Sequence, residues 1–470
     1  MTRRILILGG GFAGVSTAAE LTTLLRRQRR LVEPPRVQAL GAAPAPPSDD
    51  AVEVVLVDRD NYSVFQPFLP EILSATIEPT HAVVPLRRLL PHVEVEVGIV
   101  EHIDVAQRRV RFRRPLDGAP FELSYDALVL ALGGVTDFRV VPGMTEHAVG
   151  MRSLGDAFYL RNRALDMLEA ARVEADAERR RRLVTFVIVG GGSTGVEVAA
   201  QLQDLVQAAA ATFRGVALSP RVVLIHGHEI VLGEFGRRLG TYTTRLLARA
   251  GIELVLGRHV ARVDAQGVAL DDGNRIEAGT VISTVGNAPN PVLRGLPAAY
   301  DAHGWIRADA TFAVQGLDRV WAGGDCATIE DPQTGRPMPA TAQHAIREGP
   351  HLARNVLAVL DGGRGTPFHF GQLGMLVSLG RRKGAGSVLG VKVSGFIAWF
   401  IWRGYYLLRL PTLDRRVRVA LDWTADLLLP RDVVEINVRR TPGGPGEPVE
   451  SRGEPTSSGT REPTETHLVL

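Results

Sequence analysis

ILILGGGFAGVSTAAEL, residues 5–21, is the stretch that decides the fold. Its four leading apolar residues predict a buried strand, and the apolar periodicity over residues 12–25 predicts a helix. The three glycines between them follow the spacing G-x-G-x-x-G. Strand, glycine turn and helix hold the pyrophosphate of a dinucleotide, because glycine lets the backbone approach the phosphates and the helix N-terminus offers free N–H groups. The stretch therefore predicts a dinucleotide-binding fold.

A repeat of this stretch strengthens the prediction. With 50 glycines among 470 residues, three glycines at this spacing arise by chance in roughly half of such chains. The segment FVIVGGGSTGVEVAAQL, residues 186–202, aligns with the first without gaps and shares nine of 17 positions. Two such turns in one chain indicate two dinucleotide-binding units.

The residue at the end of the next strand distinguishes the two repeats. Asp58 follows the predicted strand 52–57, where an acid binds the adenosine ribose hydroxyls; the alternative is an ordinary turn residue. The gap of 44 residues from Gly14 to Asp58 exceeds the usual value of about 20. A basic and then Pro/Ala-rich insertion at residues 26–50 explains the excess. The equivalent strand of the second repeat, residues 221–225, is followed by His226 instead.

Further elements are expected around these turns. Residues 125–134 predict a strand that returns to the first sheet and ends in a glycine turn, and residues 319–327 predict a strand that ends in Asp325. Helical patterns cover residues 153–177 and 340–360. Gly349 and Pro350 are predicted to kink or break the second of these helices.

Composition excludes several classes of function. The formal net charge of +3 gives no electrostatic case for binding nucleic acid. Cys326 is the single cysteine, which excludes an internal disulfide and a redox-active cysteine pair and fits a reducing compartment. We interpret it as a small buried residue. The two lysines, Lys383 and Lys392, leave no lysine earlier in the chain as a base. We expect no signal peptide, no spanning helix and no metal site.

The C-terminal region has a different composition. Residues 368–436 contain three of the five tryptophans, and residues 381–418 contain nine basic residues and one acid. Two apolar-aromatic segments, 396–410 and 415–429, predict helices that lie on a membrane with Trp and Tyr at its interface. A dimer interface or a core helix is the alternative. The tail, residues 437–470, is rich in Gly, Pro, Ser, Thr and Glu and is predicted to be disordered.

Taken together, the chain resembles the FAD/NAD(P) pyridine nucleotide-disulfide oxidoreductase superfamily, which has two dinucleotide-binding domains. Within it, the chain is most similar to type II NADH dehydrogenases, the single-subunit NADH:quinone oxidoreductases. The matching pieces are GGGFAG at Gly9, DRDNYSVFQPFLPE at Asp58, YDALVLALGG at Tyr125, GGGSTGVE at Gly190, WAGGDCA at Trp321 and AQHAIRE at Ala342.

The resemblance implies an α/β fold with two Rossmann-like domains, the NAD(P)H domain being inserted in the FAD domain, and a C-terminal membrane-associating segment. The implied divisions are 1–155 and 293–367 for the FAD domain, 156–292 for the NAD(P)H domain, 368–436 for the membrane-anchoring region and 437–470 for the tail.

The resemblance also implies two sets of nucleotide-binding residues. Those for FAD are Gly9, Gly11, Phe12, Ala13, Gly14, Asp58, Arg59, Val100, Gly133, Asp325 and Ala342. Those for NAD(P)H are Gly190, Gly192, Thr194, Gly195, His226 and Gly286.

Four further residues receive roles from the resemblance. Glu197 is expected near the nicotinamide and flavin rings, where it assists hydride transfer or proton movement; the alternative is a carboxylate favoured by the dipole in the first turn of its helix. Gln343 and Arg347 are expected to line the quinone slot. Arg347 stands where the family has a second glutamine, so the quinone type and the slot geometry are open. Glu71 is a further candidate for a proton relay.

The implied function is a membrane-associated, FAD-dependent NAD(P)H:quinone oxidoreductase without proton pumping. It would be peripheral, on the cytoplasmic face of a bacterial inner membrane, with a homodimer allowed. His226 leaves the choice between NADH and NADPH open, with a preference for NADH. One alternative is a soluble reductase for a ferredoxin or rubredoxin, which would have no use for the C-terminal Trp/Arg segment. Another is a flavin redox sensor with little turnover.

Overall fold

The structure is a computed structural model that describes residues 2–34, 50–215, 217–371 and 374–436. Most of the predicted insertion, residues 35–49, and the whole of the predicted disordered tail, residues 437–470, lie outside the described residues. The helices and strands belong to one compact unit, Met1–Val434.

The strands are β1 (Arg3–Leu8), β2 (Val52–Asp58), β3 (Tyr62–Val64), β4 (Val83–Pro85), β5 (Glu94–Val97), β6 (Ile99–Asp104), β7 (Arg109–Arg113), β8 (Pro120–Ser124), β9 (Ala127–Leu130), β10 (Gly134–Thr136), β11 (Ala148–Val149), β12 (Thr185–Val189), β13 (Arg221–His226), β14 (Glu253–Leu256), β15 (Val260–Asp264), β16 (Gly267–Leu270), β17 (Arg275–Glu277), β18 (Thr280–Ser283), β19 (Asn287–Pro289), β20 (Ile306–Ala308), β21 (Val320–Ala322), β22 (Ala327–Ile329), β23 (Gly374–Ser378), β24 (Gly384–Val388) and β25 (Val391–Ser394).

The α-helices are α1 (Phe12–Arg27), α2 (Leu69–Leu73), α3 (Leu86–Leu89), α4 (Met144–His147), α5 (Leu154–Val173), α6 (Ala177–Leu183), α7 (Ser193–Ala210), α8 (Arg237–Arg249), α9 (Ala342–Leu360), α10 (Gly395–Arg409) and α11 (Leu413–Leu428). Short 3-10 helices cover Gln66–Phe68, Pro79–Ala82, Phe138–Val140, Gly233–Phe235, Pro291–Leu293 and Gly324–Cys326.

The first sheet is parallel and has the order β21-β9-β1-β2-β5. The strand predicted from the opening stretch, β1, lies at its centre, and residues 5–8 are fully buried. A parallel sheet is covered by helices on both faces, which explains why β1 is apolar on successive residues instead of alternating.

The second sheet repeats the arrangement in the order β11-β18-β12-β13-β14. Its central strand, β12, pairs in parallel with β13 and β18. In the chain this sheet lies between β9 and β21, two strands of the first sheet. The predicted α/β fold, with one Rossmann-like unit inserted in the other, is therefore confirmed.

The glycine turns have the same geometry in both repeats. Gly9 and Gly190 have φ angles of +112° and +114°, a region that favours glycine. A Cβ atom at Gly14 would lie 1.9 Å from the carbonyl oxygen of Gly9, and one at Gly195 would lie 1.8 Å from that of Gly190. The third glycine of each motif therefore lets the helix begin directly against the end of its strand.

The sequence predicted a kink or a break at Gly349 and Pro350. Helix α9 runs through Pro350 without interruption, so a break is wrong and a kink stays a prediction. The physical reason lies at Gly349, which faces α1: a Cβ atom there would lie 2.0 Å from the Ser16 hydroxyl oxygen. This close packing of α9 against α1 compensates for the helix hydrogen bond that proline cannot make.

The C-terminal region contains a three-stranded antiparallel sheet, β23-β24-β25, which the sequence analysis did not predict, followed by α10 and α11. Trp399, Trp402 and Trp423 are all buried, so the expectation that these tryptophans lie at a membrane interface is wrong. The exposed apolar side chains of the two helices are instead Phe396, Ile397, Phe400, Leu408, Leu413, Val417, Leu421 and Leu428.

A buried polar cluster fixes these helices to the rest of the protein. Glu71, on α2, is 1% exposed and accepts a hydrogen bond of 2.7 Å from the indole nitrogen of Trp423. The guanidinium of Arg403 lies 3.5 Å from the other oxygen of Glu71 and stacks on the rings of Trp399 and Trp423. Trp423 is therefore held inward by a buried carboxyl group, and Trp399 contacts the arginine that is paired with it. No helix among the described residues is long and apolar enough to span a bilayer.

The close contact in the second turn gives a test of the fold. We predict that Gly195→Ala destabilises the protein by about 1–3 kcal/mol or more, because its Cβ atom would collide with a backbone carbonyl that cannot move freely. Gly192→Ala is the matched control, since the nearest atom to its Cβ position is 3.9 Å away. Denaturant unfolding measures both variants, and equal unfolding midpoints for the two would contradict the assignment.

Candidate functional site

A cavity of about 650 Å³ lies at the carboxyl ends of the first-sheet strands, within the usual volume range of ligand pockets of about 300–1,000 Å³. It is lined by these residues of the predicted FAD set: Gly9, Gly11, Phe12, Ala13, Asp58, Arg59, Val100, Gly133, Asp325 and Ala342. Gly14 does not line the cavity; it lies behind the turn, against the Gly9 carbonyl.

One end of the cavity contains Asp58 and the start of α1, which were predicted to bind an adenosine ribose and a pyrophosphate. The carboxylate of Asp58 accepts hydrogen bonds from the backbone N–H groups of Gly10, at 2.5 Å, and Asp60, at 2.9 Å. Burial raises the pKa of Asp58, and these two N–H groups oppose the rise. Apart from its chain neighbours, no described residue has an atom within 4 Å of the Cβ position of Gly11, so the start of α1 is open to a phosphate group.

Two residues that the sequence analysis missed lie at the other end: Arg152, which lines the cavity, and Glu348, which lies behind the lining residue Gly324. The side chain of Arg152 lines the cavity, and its guanidinium lies 3.3 Å from the carboxylate of Asp325. The buried carboxyl group of Glu348 accepts a 2.6 Å hydrogen bond from the N–H group of Gly324, and burial raises its pKa to about 7. Glu348 stands in the AQHAIRE motif, which was a usable signal; nothing in the sequence indicated Arg152.

Helix α9 contributes its N-terminus to the same cavity. Ala342 and Ala345, in its first turn, are lining residues. The side chain of Thr341 caps the helix by accepting a hydrogen bond from the N–H group of His344. The positive end of the helix dipole therefore faces the cavity and favours a ligand that carries or gains negative charge.

These features fit a dinucleotide. Carboxylates that can accept from hydroxyl groups stand at both ends, in Asp58 and Asp325, and a glycine turn with open N–H groups lies between them. Gly133 has a φ of +65°, and its Cβ position has no contact within 4 Å among the residues that the structure describes, so it provides a second stretch of accessible backbone.

The second glycine turn is similar, but its strand-end residue is neutral. The N–H group of Gly191 donates a 3.2 Å hydrogen bond to Nδ1 of His226, the same contact that Gly10 makes with Asp58. Burial lowers the pKa of His226, and His228, whose ring centre is 5.1 Å away, lowers it further. The imidazole is therefore neutral near pH 7, with its proton on Nε2.

The remaining residues of the predicted NAD(P)H set lie around this turn. Thr194 is exposed in the first turn of α7. Gly286 has a φ of +77°, and its carbonyl accepts a hydrogen bond from the N–H group of Asp137. At the start of α7, Ser193 donates a 3.0 Å hydrogen bond to Glu234, so a carboxylate lies where a phosphate would be expected.

Glu197 lies in the second turn of α7, not the first, so the helix-dipole interpretation is wrong. Its carboxyl group accepts a 2.8 Å hydrogen bond from the N–H group of Ser378 on β23 and another from Trp402. Burial of the carboxyl group, with a further contribution from Glu71, raises its pKa to about 8. Glu197 is therefore protonated at neutral pH.

Aromatic rings connect this carboxyl group to the cavity. Tyr406 is close enough to Glu197 for the two to influence each other's ionisation. The Tyr406 ring centre is 5.9 Å from that of Phe65, which is 5.6 Å from that of Phe12, a cavity-lining residue. Glu197 itself does not line the cavity.

Gln343 and Arg347 lie together on one face of α9. The amide nitrogen of Gln343 donates a 2.8 Å hydrogen bond to the carbonyl of Gly374, while its buried amide oxygen has no partner among the described residues. The guanidinium of Arg347 donates to the carbonyl of Gln343 and stacks 4.2 Å above the ring of Phe370. Neither side chain lines the 650 Å³ cavity.

Cys326 is fully buried, as predicted. Its thiol donates to the carbonyl of Leu130 at 3.1 Å, and burial raises its pKa to about 12. A thiol in this environment is not a nucleophile at neutral pH.

Comparisons with known proteins agree with this architecture. Residues 3–349 match the model of the pyridine nucleotide-disulphide oxidoreductase family. The mitochondrial internal alternative NAD(P)H-ubiquinone oxidoreductase A1 of Arabidopsis thaliana is 31% identical over 92% of this chain and 86% of that protein. The type II NADH:quinone oxidoreductase Ndh of Mycobacterium tuberculosis is 29% identical over 91% of this chain and 89% of that protein.

A solved structure shares the fold. NDH2 from Plasmodium falciparum, in complex with NADH, superposes with a TM-score of 0.80 over 92% of this chain and 99% of that one, at 17% sequence identity. The chain therefore belongs to the pyridine nucleotide-disulphide oxidoreductase family and, within it, to the type II NADH:quinone oxidoreductases.

Proposed function

We propose that this protein is a FAD-dependent NADH:quinone oxidoreductase that works at a membrane surface. The observation that carries the proposal is that the chain has two glycine turns of the same geometry. The first lines a cavity whose residues fit a dinucleotide, and the second lies outside that cavity. One turn can hold a resident cofactor while the other receives a nucleotide that comes and goes. The relatives named above act on NADH or NAD(P)H and a quinone.

FAD is the cofactor that we assign to the first turn. Asp58 would accept from the adenosine ribose, the start of α1 would bind the pyrophosphate, and Asp325, oriented by Arg152, would bind the ribityl chain. The N-terminus of α9 would stabilise negative charge on the cofactor. When bound, FAD supplies the chemistry of accepting a hydride from a nicotinamide and passing two electrons to a quinone.

The nicotinamide nucleotide would bind at the second turn, between Gly190 and Gly195. An acid at the strand end normally favours NADH by repelling the 2′-phosphate of NADPH. His226 is neutral instead, so it can hydrogen-bond a ribose hydroxyl without repelling a phosphate. NADH is the proposed substrate, and discrimination against NADPH is expected to be weak.

Glu197 and Gln343 are proposed to serve the quinone step. Reduction of a quinone needs two protons, and a carboxyl group that is still protonated at neutral pH can donate one. Gln343 offers a buried amide oxygen without a partner, which can accept a hydrogen bond from a quinol hydroxyl group. Arg347 would donate to a quinone oxygen after leaving its position on Phe370.

Membrane attachment is assigned to α10 and α11, whose exposed apolar side chains suit peripheral binding. The proposed location is the cytoplasmic face of a bacterial inner membrane. It is supported by the resemblance and by the single buried cysteine, which suits a reducing compartment. We also propose the domain divisions given by the sequence, with residues 156–292 as the nicotinamide domain and residues 368–436 as the membrane-associated region.

Steady-state oxidation of NADH and NADPH with a short-chain quinone tests this function. We expect flavin-containing protein to oxidise NADH only slowly without quinone, and quinone to stimulate the rate strongly with either nucleotide. Protein that carries flavin but shows no stimulation by quinone would contradict the proposal and favour a redox sensor. Stimulation by a ferredoxin and not by a quinone would favour the soluble reductase.

The role of Glu197 is tested by Glu197→Gln. An amide of the same shape cannot release a proton, so quinone-dependent turnover should fall by roughly 100-fold while the FAD content is unchanged. Because the pKa of Glu197 is raised to about 8, the donating form is lost as pH rises. Wild-type turnover should therefore decrease above about pH 8, and the residual activity of the variant should not. Normal quinone reduction in the variant would exclude the relay role.

A further inference from the structure

A row of arginines on α8 lies outside the cavity and the C-terminal helices and has no role in the proposed reaction. The helix reads RRLGTYTTRLLAR and contains four arginines and no acid. Its buried face consists of Leu239, Gly240, Thr243 and Leu247. On the opposite side Arg237, Arg238, Arg245, Arg249 and Tyr242 line an open groove of about 420 Å³. We call this surface the arginine groove.

These arginines are not balanced by nearby acids. Within the described residues, no carboxylate oxygen lies within 4.0 Å of any of the four guanidinium groups, whereas Arg221, Arg258 and Arg275 on neighbouring strands and loops are each paired with an acid. Arg245 and Arg249 are one helical turn apart, an arrangement in which like charges destabilise a helix.

The first turn of α8 also contains positive charges in an unfavourable position. Arg237 and Arg238 stand where the helix dipole disfavours positive charge. The charges in this first turn therefore work against the stability of the helix, and an anionic partner would offset this cost.

The neighbourhood of the groove indicates which partner. The ammonium nitrogen of Lys392 lies 3.5 Å from the Cβ position of Gly236, directly before α8. The Tyr242 hydroxyl lies 3.8 Å from the Cβ position of Gly395, the first residue of α10. The arginine groove therefore borders the C-terminal region at β25 and the start of α10.

Exposed apolar side chains stand on that border. Val391 is 64% exposed and lies next to Lys392, while Phe396, Ile397 and Phe400 are 57%, 64% and 65% exposed on the first two turns of α10. Basic groups beside exposed aromatic and aliphatic side chains match a bilayer surface, where phosphates meet acyl chains. A free nucleotide would use the arginines but not these apolar side chains.

We propose that the arginine groove binds the phosphate headgroups of anionic phospholipids, so that the nicotinamide-binding part of the chain also contacts the membrane. The guanidinium groups would form paired hydrogen bonds with phosphodiester oxygens. The inference rests on the membrane association proposed above for α10 and α11, and adds to it a dependence on lipid charge. The apolar side chains would give binding to any bilayer, and the arginines would give the additional binding to an anionic one.

Flotation of the full-length, flavin-containing protein with vesicles tests the proposal. Vesicles of phosphatidylcholine alone are compared with vesicles that also contain phosphatidylglycerol. The test variant is Arg245→Gln/Arg249→Gln, because these two arginines lie in the half of α8 away from Gly236 and the nucleotide turn. The charge-matched control is Arg336→Gln/Arg364→Gln, which removes two exposed arginines from other parts of the chain.

We expect phosphatidylglycerol to increase the vesicle affinity of the wild type and the control. The factor of this increase should be roughly 10- to 30-fold smaller for the test variant. Added salt should remove this difference. Binding to phosphatidylcholine alone and turnover with a short-chain quinone should be the same in all three proteins. An equal loss in the test and control variants, or no effect of phosphatidylglycerol on the wild type, would overturn the proposal.

The outcome is separable from that of the proposed function. Absence of binding to either kind of vesicle, with normal quinone turnover, would refute both the groove and the membrane role of α10 and α11 but leave the oxidoreductase intact. Absence of quinone turnover, with vesicle binding that depends on lipid charge, would refute the proposed oxidoreductase function but leave the arginine groove and the membrane role of α10 and α11 intact.

Discussion

The contact between the third glycine and the carbonyl of the first glycine, made once in each repeat, is the constraint on which the rest depends. A Cβ atom at Gly14 or Gly195 would lie 1.9 or 1.8 Å from that carbonyl oxygen, so each helix begins closer to its strand than a residue with a side chain would allow. The first turn of each helix therefore faces away from the sheet, and its N–H groups are not hydrogen-bonded within the helix. The proposed position of each nucleotide's phosphates follows from this geometry, and the strand-end residue opposite differs between the repeats: Asp58 in one and His226 in the other.

A second constraint is the buried carboxyl group of Glu71. By holding Trp423 and Arg403 it fixes the C-terminal helices against the core, and β23 in turn supplies the N–H group that Glu197 accepts. The region that we assign to the membrane thus also shapes the environment that keeps Glu197 protonated. The proposed membrane region and the proposed proton donor are therefore neighbours, because residues of the C-terminal region contact both Glu71 and Glu197.

The sequence predicted the nucleotide-binding elements well, because strand, glycine turn and helix are local and occur twice. Predictions failed where long-range packing decides. Pro350 stays within a helix because Gly349 packs on α1, and Trp423 is buried because Glu71, far away in sequence, accepts its N–H group. Arg152 reaches the cavity from a loop with no recognisable pattern. The antiparallel sheet β23-β24-β25 was missed because its glycine-rich strands lack a clear alternation of apolar residues.

The central claim is that the first turn holds a resident flavin and the second a transient nucleotide. The most direct measurement is the flavin bound per chain in purified Asp58→Ala and His226→Ala, together with the KM for NADH of whatever flavoprotein remains. The account predicts that Asp58→Ala loses most of its flavin, whereas His226→Ala keeps it and shows a raised KM for NADH. Full flavin content in folded Asp58→Ala, or an equal loss of flavin in His226→Ala, would contradict it.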